Sequence, residues 1–198
     1  MILGITGAFG AGKTAVREIF VQLGWHIFDA DSVCHSLYAQ TGGVFFESLV
    51  RTWGKEILSP AGAIDRKKLA EKVMADKEEL EKLTALLYPE LDRKLTAEIQ
   101  FCRNNNINGA FEIPLLFEKG YEKYFDATLA VWSAPEIRRK RLEEKRSFPR
   151  EEILRREALQ LDPDQKLERA DFAVINNGSK ELLKEQIEKI VHLNIQEK

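Results

Sequence analysis

The chain has 198 residues, 44% hydrophobic and 31% charged, with a formal net charge of −2. That length suffices to bury a real core and fits one embellished domain, and the charge balance lacks the basic excess of a nucleic-acid binder. Its two cysteines, Cys34 and Cys102, lie far apart without CxxC spacing, which argues against a disulfide framework or a zinc ribbon; the cytoplasm is the simplest compartment.

The first apolar run, residues 2–6, has no basic region before it and is far too short to cross a bilayer. No later stretch is long enough either, so no membrane partner is expected. Immediately after it, Gly7, Gly12, Lys13 and Thr14 satisfy G-x-x-x-x-G-K-[ST], and a helix-like run follows over 15–23. Strand, glycine loop and helix in that order are the context the phosphate-binding motif requires. The spacing predicts that residues 8–15 (Ala8, Phe9, Gly10, Ala11, Gly12, Lys13, Thr14 and Ala15) wrap a nucleoside triphosphate. Lys13 would reach the β and γ phosphates, and Thr14 would ligate Mg²⁺. The loop grips phosphates and ignores the base, so ATP and GTP both remain open, although no N-K-x-D guanine motif follows.

A second strand at 25–29 ends in "DAD", placing Asp29 and Asp31 at the mouth of the expected sheet. Phosphoryl transfer needs a carboxylate there to orient or deprotonate the acceptor hydroxyl, and Asp31 is the candidate. Asp29 is assigned a structural or metal-linked role, helix capping being a common use of Asp in this position. His35, one turn on, is a site-lining candidate. Residues 31–108 carry helical patterns at 67–74, 78–87 and 90–102 and no strand, so they read as a helical insertion on the acceptor side. Within it, Arg66 could grip a substrate phosphate, although an isolated surface arginine after an aspartate is ordinary.

Strands follow at 109–113, 128–132 and 172–175, apolar without alternation, as strands covered on both faces should be. Glu112 ends the third and is placed to organise Mg²⁺-bound water. Pro114, Leu115 and Leu116 come next and would form an apolar wall for the acceptor. Residues 135–169 are helical and charged; "RRKRLEEKR" supplies cations for phosphoryl transfer, though several form i, i+4 pairs with glutamates. Asn176, Asn177 and Gly178 suit a tight turn that could present backbone to the adenine. Ser179 caps a final amphipathic helix containing Leu182, Leu183, Ile187 and Ile190. The predicted fold is α/β: a five-stranded parallel sheet flanked by helices, with core segments 1–30, 109–134 and 170–198 and a lid at 135–169.

The motifs together resemble the dephospho-coenzyme A kinase family. They comprise "GITGAFGAGKT", "DAD" with Val33 and His35, "GAIDRKKL" at 62–69, "YPEL" at 88–91 and "FEIPLLFEKG" at 111–120. Later come Arg156 with Gln160, Lys166 with "AD" at 170–171, and "NNGS" at 176–179. The resemblance implies a P-loop kinase that transfers the γ-phosphate of ATP, with Mg²⁺, to the 3′-hydroxyl of dephospho-CoA. It makes Asp31 the catalytic carboxylate, Arg141 a lid cation, and Tyr88 the occupant of a position usually held by histidine. Ala8 and Ala11 replace the family's usual glycine and serine. The lid's Arg-Asp-Gly becomes "KRSFP", so Lys145 or Arg146 takes the place of the family's lid arginine as a phosphate contact beside Arg141. A nucleotide-binding switch protein and a kinase for another small alcohol are the competing assignments; the first would not need Asp31. No motif addresses oligomeric state.

Overall fold

The computed structural model describes residues 1–73, 76–146 and 148–195, with the side chains of 145, 146, 194 and 195 outside that description. Five strands, β1 (Ile2–Gly7), β2 (His26–Asp29), β3 (Gly109–Glu112), β4 (Ala127–Trp132) and β5 (Phe172–Ile175), form one sheet in the order β2-β3-β1-β4-β5. β1 runs parallel to β3 and β4, and β4 parallel to β5. All five coincide with sequence-predicted runs. The chain thus steps from β3 across β1 to β4, which makes the carboxyl end of β1 the crevice where ligands of open α/β sheets gather.

Every residue of β1 is buried, and both faces explain why. Leu3 and Ile5 join a core with Val16, Ile19 and Phe20 of α1 (Lys13–Gln22) and Leu183, Ile187 and Ile190 of α9 (Lys180–Ile195). On the opposite face Gly4 is backed so closely by Phe125 and Leu116 that a Cβ would lie 2.5 Å from the Phe125 ring. Each fully buried large apolar side chain stabilises the fold by about 1.5–3 kcal/mol. Leu182, expected on the inner stripe of α9, is instead 55% exposed, since it precedes the buried Leu183–Ile187–Ile190 face by one residue.

By compactness the chain divides into residues 1–28 with 99–198, and residues 29–98. The second unit is helical: α2 (Ala30–Ala39), α3 (Val44–Trp53), α4 (Arg66–Val73) and most of α5 (Lys77–Asn104). Its core gathers Leu37, Phe45, Leu49, Trp53, Ile57, Leu69 and Leu83. The helices predicted at 78–87 and 90–102 are one helix that runs through Pro89. Proline inside a helix costs about 3 kcal/mol, and the buried stripe of Leu83, Leu91, Leu95 and Ile99 that continues across it offsets that. The predicted pattern at 67–74 forms as α4, its residue 74 lying outside the described residues. The asparagine stop operates as predicted: α5 ends at Asn104, and Asn106 takes the left-handed conformation with φ 54°. The 135–169 segment folds as α6 (Pro135–Arg146), α7 (Arg150–Ala158) and α8 (Pro163–Arg169).

Candidate active site

The phosphate loop joins β1 to α1 in the first unit. Gly12 precedes the helix at φ 93° without a side-chain cap, and the first turn of α1 contains no acidic residue. The first-turn amides have no intrahelical acceptor, and the helix dipole puts positive potential on them, so this end is prepared for an anion. Only glycine fits at 12, where a Cβ would sit 2.1 Å from Asn176 Nδ2. Gly10, at φ 81°, is pressed against Leu142, whose Cδ1 would be 2.9 Å from a Cβ there. Ala8 and Ala11 are both buried, which the larger serine at 11 would have to accommodate. Lys13 Nζ donates to the carbonyls of Gly7 at 3.1 Å and Ala8 at 3.3 Å, so its ammonium lies across the mouth of its own loop.

Side chains remote in sequence hold this loop open. Asn176 Nδ2 donates to Ala11 O at 2.8 Å, and Arg141 Nη2 donates to Asn176 O at 2.9 Å. Arg141 Nη1 reaches Ser133 Oγ at 3.3 Å and Ala11 O at 3.5 Å. Burial lowers the Arg141 pKa, but a guanidinium keeps its charge at any physiological pH. The sequence-predicted lid cation therefore ties the loop to Ser133 and Asn176. Asn177 fixes the neighbouring turn, its Oδ1 accepting from Ala134 N at 2.9 Å. The side chains of Lys145 and Arg146 lie outside the described residues. An open cavity of about 370 Å³ borders Ala8, with Arg138, Glu157 and Gln160 in its wall.

Beyond β3, Pro114 O accepts from Thr6 Oγ1 at 3.2 Å and from Lys166 Nζ at 2.6 Å. Lys166 is 1% exposed and pairs with Glu118 at 2.8 Å. Leu116 is fully buried against β1, so of the predicted apolar wall only Pro114 and Leu115 keep accessible surface. Glu112 is buried and lies 3.3 Å from Arg17 of α1, an ion pair close under the loop. Thr14 stands at the second position of α1.

In the helical unit, Asp29 caps α2: its carboxylate accepts from Ser32 N at 3.2 Å and Ser32 Oγ at 2.8 Å. That bond leaves Asp31 in the first turn, where the dipole favours a carboxylate. Asp65 caps α4 in the same way, accepting from Lys67 N and Lys68 N, which sets Arg66 at the helix start. Arg66 Nη1 donates to His35 Nδ1, so the neutral ring carries its proton on Nε2. The Arg66 guanidinium also stands 5.7 Å from the Tyr38 ring.

Burial, then the Asp31 and Asp29 carboxylates, push the Cys34 thiol up from 9.0 to about 11. Burial likewise lifts Tyr38 from 10.0 to about 12, with Cys34 and Tyr88 adding to it and Arg66 opposing. His35, Arg66 and Tyr88 are thus gathered around Tyr38, and Asp31 is near enough to act on Cys34. Sequence reasoning missed Cys34 and Tyr38. Their signal was the spacing 31, 34, 35, 38, one face of a helix.

A phosphate loop at the carboxyl end of the central strand of a β2-β3-β1-β4-β5 parallel sheet, with helices on both faces, defines a P-loop kinase. Comparison with known proteins narrows the class. A family model described as dephospho-CoA kinase matches residues 1–181. A dephospho-CoA kinase of Aquifex aeolicus is 37% identical over 191 residues, covering 95% of this chain and 94% of that protein. One from Listeria monocytogenes is 35% identical over 186 residues, covering 93% and 92%. A crystal structure of a Thermus thermophilus protein superposes with a TM-score of 0.84 at 34% identity, covering 98% of this chain and 97% of that one. The chain belongs to the dephospho-CoA kinase family.

Proposed function

We propose that the chain transfers the γ-phosphate of ATP to the 3′-hydroxyl of dephospho-CoA, giving coenzyme A and ADP. The observation that carries this reading is the uncapped, acid-free start of α1 behind a glycine loop, in a chain whose family acts on that acceptor. Loop amides and Lys13 hold the β and γ phosphates, while Arg141 and Asn176 keep the loop in shape to receive them. Asp31 accepts the proton of the attacking hydroxyl. His35, Arg66 and Tyr88 bind the acceptor, Arg66 through a phosphate, and Pro114 with Leu115 offers an apolar surface. Asn177 lies at the turn assigned to the adenine, and the 135–169 segment acts as a lid that excludes water as a competing acceptor.

Mg²⁺ fits this donor set. Thr14 supplies a hard hydroxyl oxygen, and among the described residues no cluster of three His, Cys, Asp or Glu could hold a metal. A magnesium ion would be carried by nucleotide phosphates and Thr14, with Glu112, already paired with Arg17, ordering its waters. When bound it neutralises phosphate charge.

The test is ADP release by purified protein with Mg-ATP and each of dephospho-CoA, adenosine, AMP or no acceptor. Release that depends on dephospho-CoA is expected; equal release without an acceptor contradicts the reading.

A further inference from the structure

The lysine of this motif is the cation that reaches the β and γ phosphates, and the Lys13 ammonium rests on the carbonyls of Gly7 and Ala8. The peptide that joins Ala8 to Phe9 is therefore part of what aims it. Ala8 O accepts from Ala11 N at 3.1 Å as well as from Lys13 Nζ at 3.3 Å. The N–H of the same peptide, Phe9 N, donates to Gln160 Oε1 at 3.0 Å. A trans peptide is planar, so its C=O and N–H point in opposite directions. Holding the N–H on Gln160 thus fixes the side to which the Ala8 carbonyl turns.

Gln160 is itself anchored. It sits in the turn between α7 and α8, where its own N–H donates to Glu157 O at 3.0 Å and the next amide, Leu161 N, donates to Glu118 Oε1 at 2.8 Å. The same Glu118 oxygen pairs with the buried Lys166 at 2.8 Å. The half-buried Gln160 side chain stands in the wall of the open cavity that borders Ala8. Water entering from that cavity can take over the Phe9 N–H when the Gln160 oxygen is removed, so its loss costs orientation more than stability.

We propose that Gln160 is a positioning residue: through the peptide between Ala8 and Phe9 it holds the Lys13 ammonium where the β and γ phosphates of the nucleotide meet it. This rests on the kinase reading above. Without the Gln160 oxygen the peptide is free to turn, Ala8 O leaves the ammonium, and Lys13 loses one of its carbonyl supports.

The experiment measures affinity for the β,γ-imido analogue of ATP in wild type, Gln160→Met, Lys13→Met and the double variant. It also reads kcat and KM with dephospho-CoA for wild type and Gln160→Met. Methionine matches glutamine in length and offers Phe9 N no oxygen. With Lys13 present, Gln160→Met is expected to weaken analogue binding about tenfold. It should lower kcat about ten- to a hundredfold, the cost of misplacing a phosphate ligand, with KM for dephospho-CoA unchanged. In the Lys13→Met background the same change should cost less than about twofold, because the ammonium it positions is gone. Equal losses in both backgrounds would mean that Gln160 supports the loop at large and would overturn the assignment. So would wild-type affinity and turnover in Gln160→Met, or a raised KM for dephospho-CoA with kcat unchanged. Should Gln160→Met not fold, Gln160→Asn, whose oxygen stops one methylene short of Phe9 N, takes its place in the cycle and is judged by the same outcomes. A wild-type protein inert toward dephospho-CoA would refute the kinase reading, while the affinity cycle would still judge Gln160.

Discussion

Cys34 sits one turn from Asp31, and its thiol is held neutral by burial and by the two carboxylates nearby. The folded chain keeps that proton more tightly than the unfolded chain, so its contribution to stability is level below pH 9. It is then lost as the pH climbs toward about 11. Urea unfolding between pH 8 and 11 should show this decline, and Cys34→Ala should flatten it; an unchanged slope would contradict the environment described. The structural role of Asp29 was legible because a helix start calls for a carboxylate at a fixed place, and the structure gives Asp29 the capping bond. The bracing role of Asn176 was not legible. Its turn chemistry reads from sequence, but a bond to Ala11, 165 residues away, depends on β1 and β5 lying in one sheet.

At the scale of elements, the strands were legible because both-face burial leaves an unbroken apolar run, whereas the continuity of α5 was hidden by Pro89. Propensity punishes proline locally, and only the buried stripe on either side reveals that the helix continues. α8 illustrates a different dependence. Its Lys166 is buried between Pro114 O and Glu118, whose Oε1 also accepts from Leu161 N at 2.8 Å. Lys166→Met would leave the Glu118 carboxylate buried without its cation, a loss of about 3–5 kcal/mol. Chemical denaturation should read that loss, and Glu118→Gln combined with Lys166→Met should recover part of it. A single variant as stable as wild type would show that the pair is dispensable.

At the scale of the whole molecule, the phosphate loop states that a nucleoside triphosphate is bound, and neither it nor the helical unit names the acceptor. The blocks "DAD", "IDRKKL" and "PLLFE" named it through the family they resemble, and the family model bears that resemblance out. The most direct measurement follows label from γ-³²P-ATP into product with dephospho-CoA as acceptor, using wild type and Asp31→Asn. Label at the ribose 3′ position, with transfer lost in Asp31→Asn while ATP still binds, is the predicted result. Label at another position, or Asp31→Asn transferring as fast as wild type, would contradict the account.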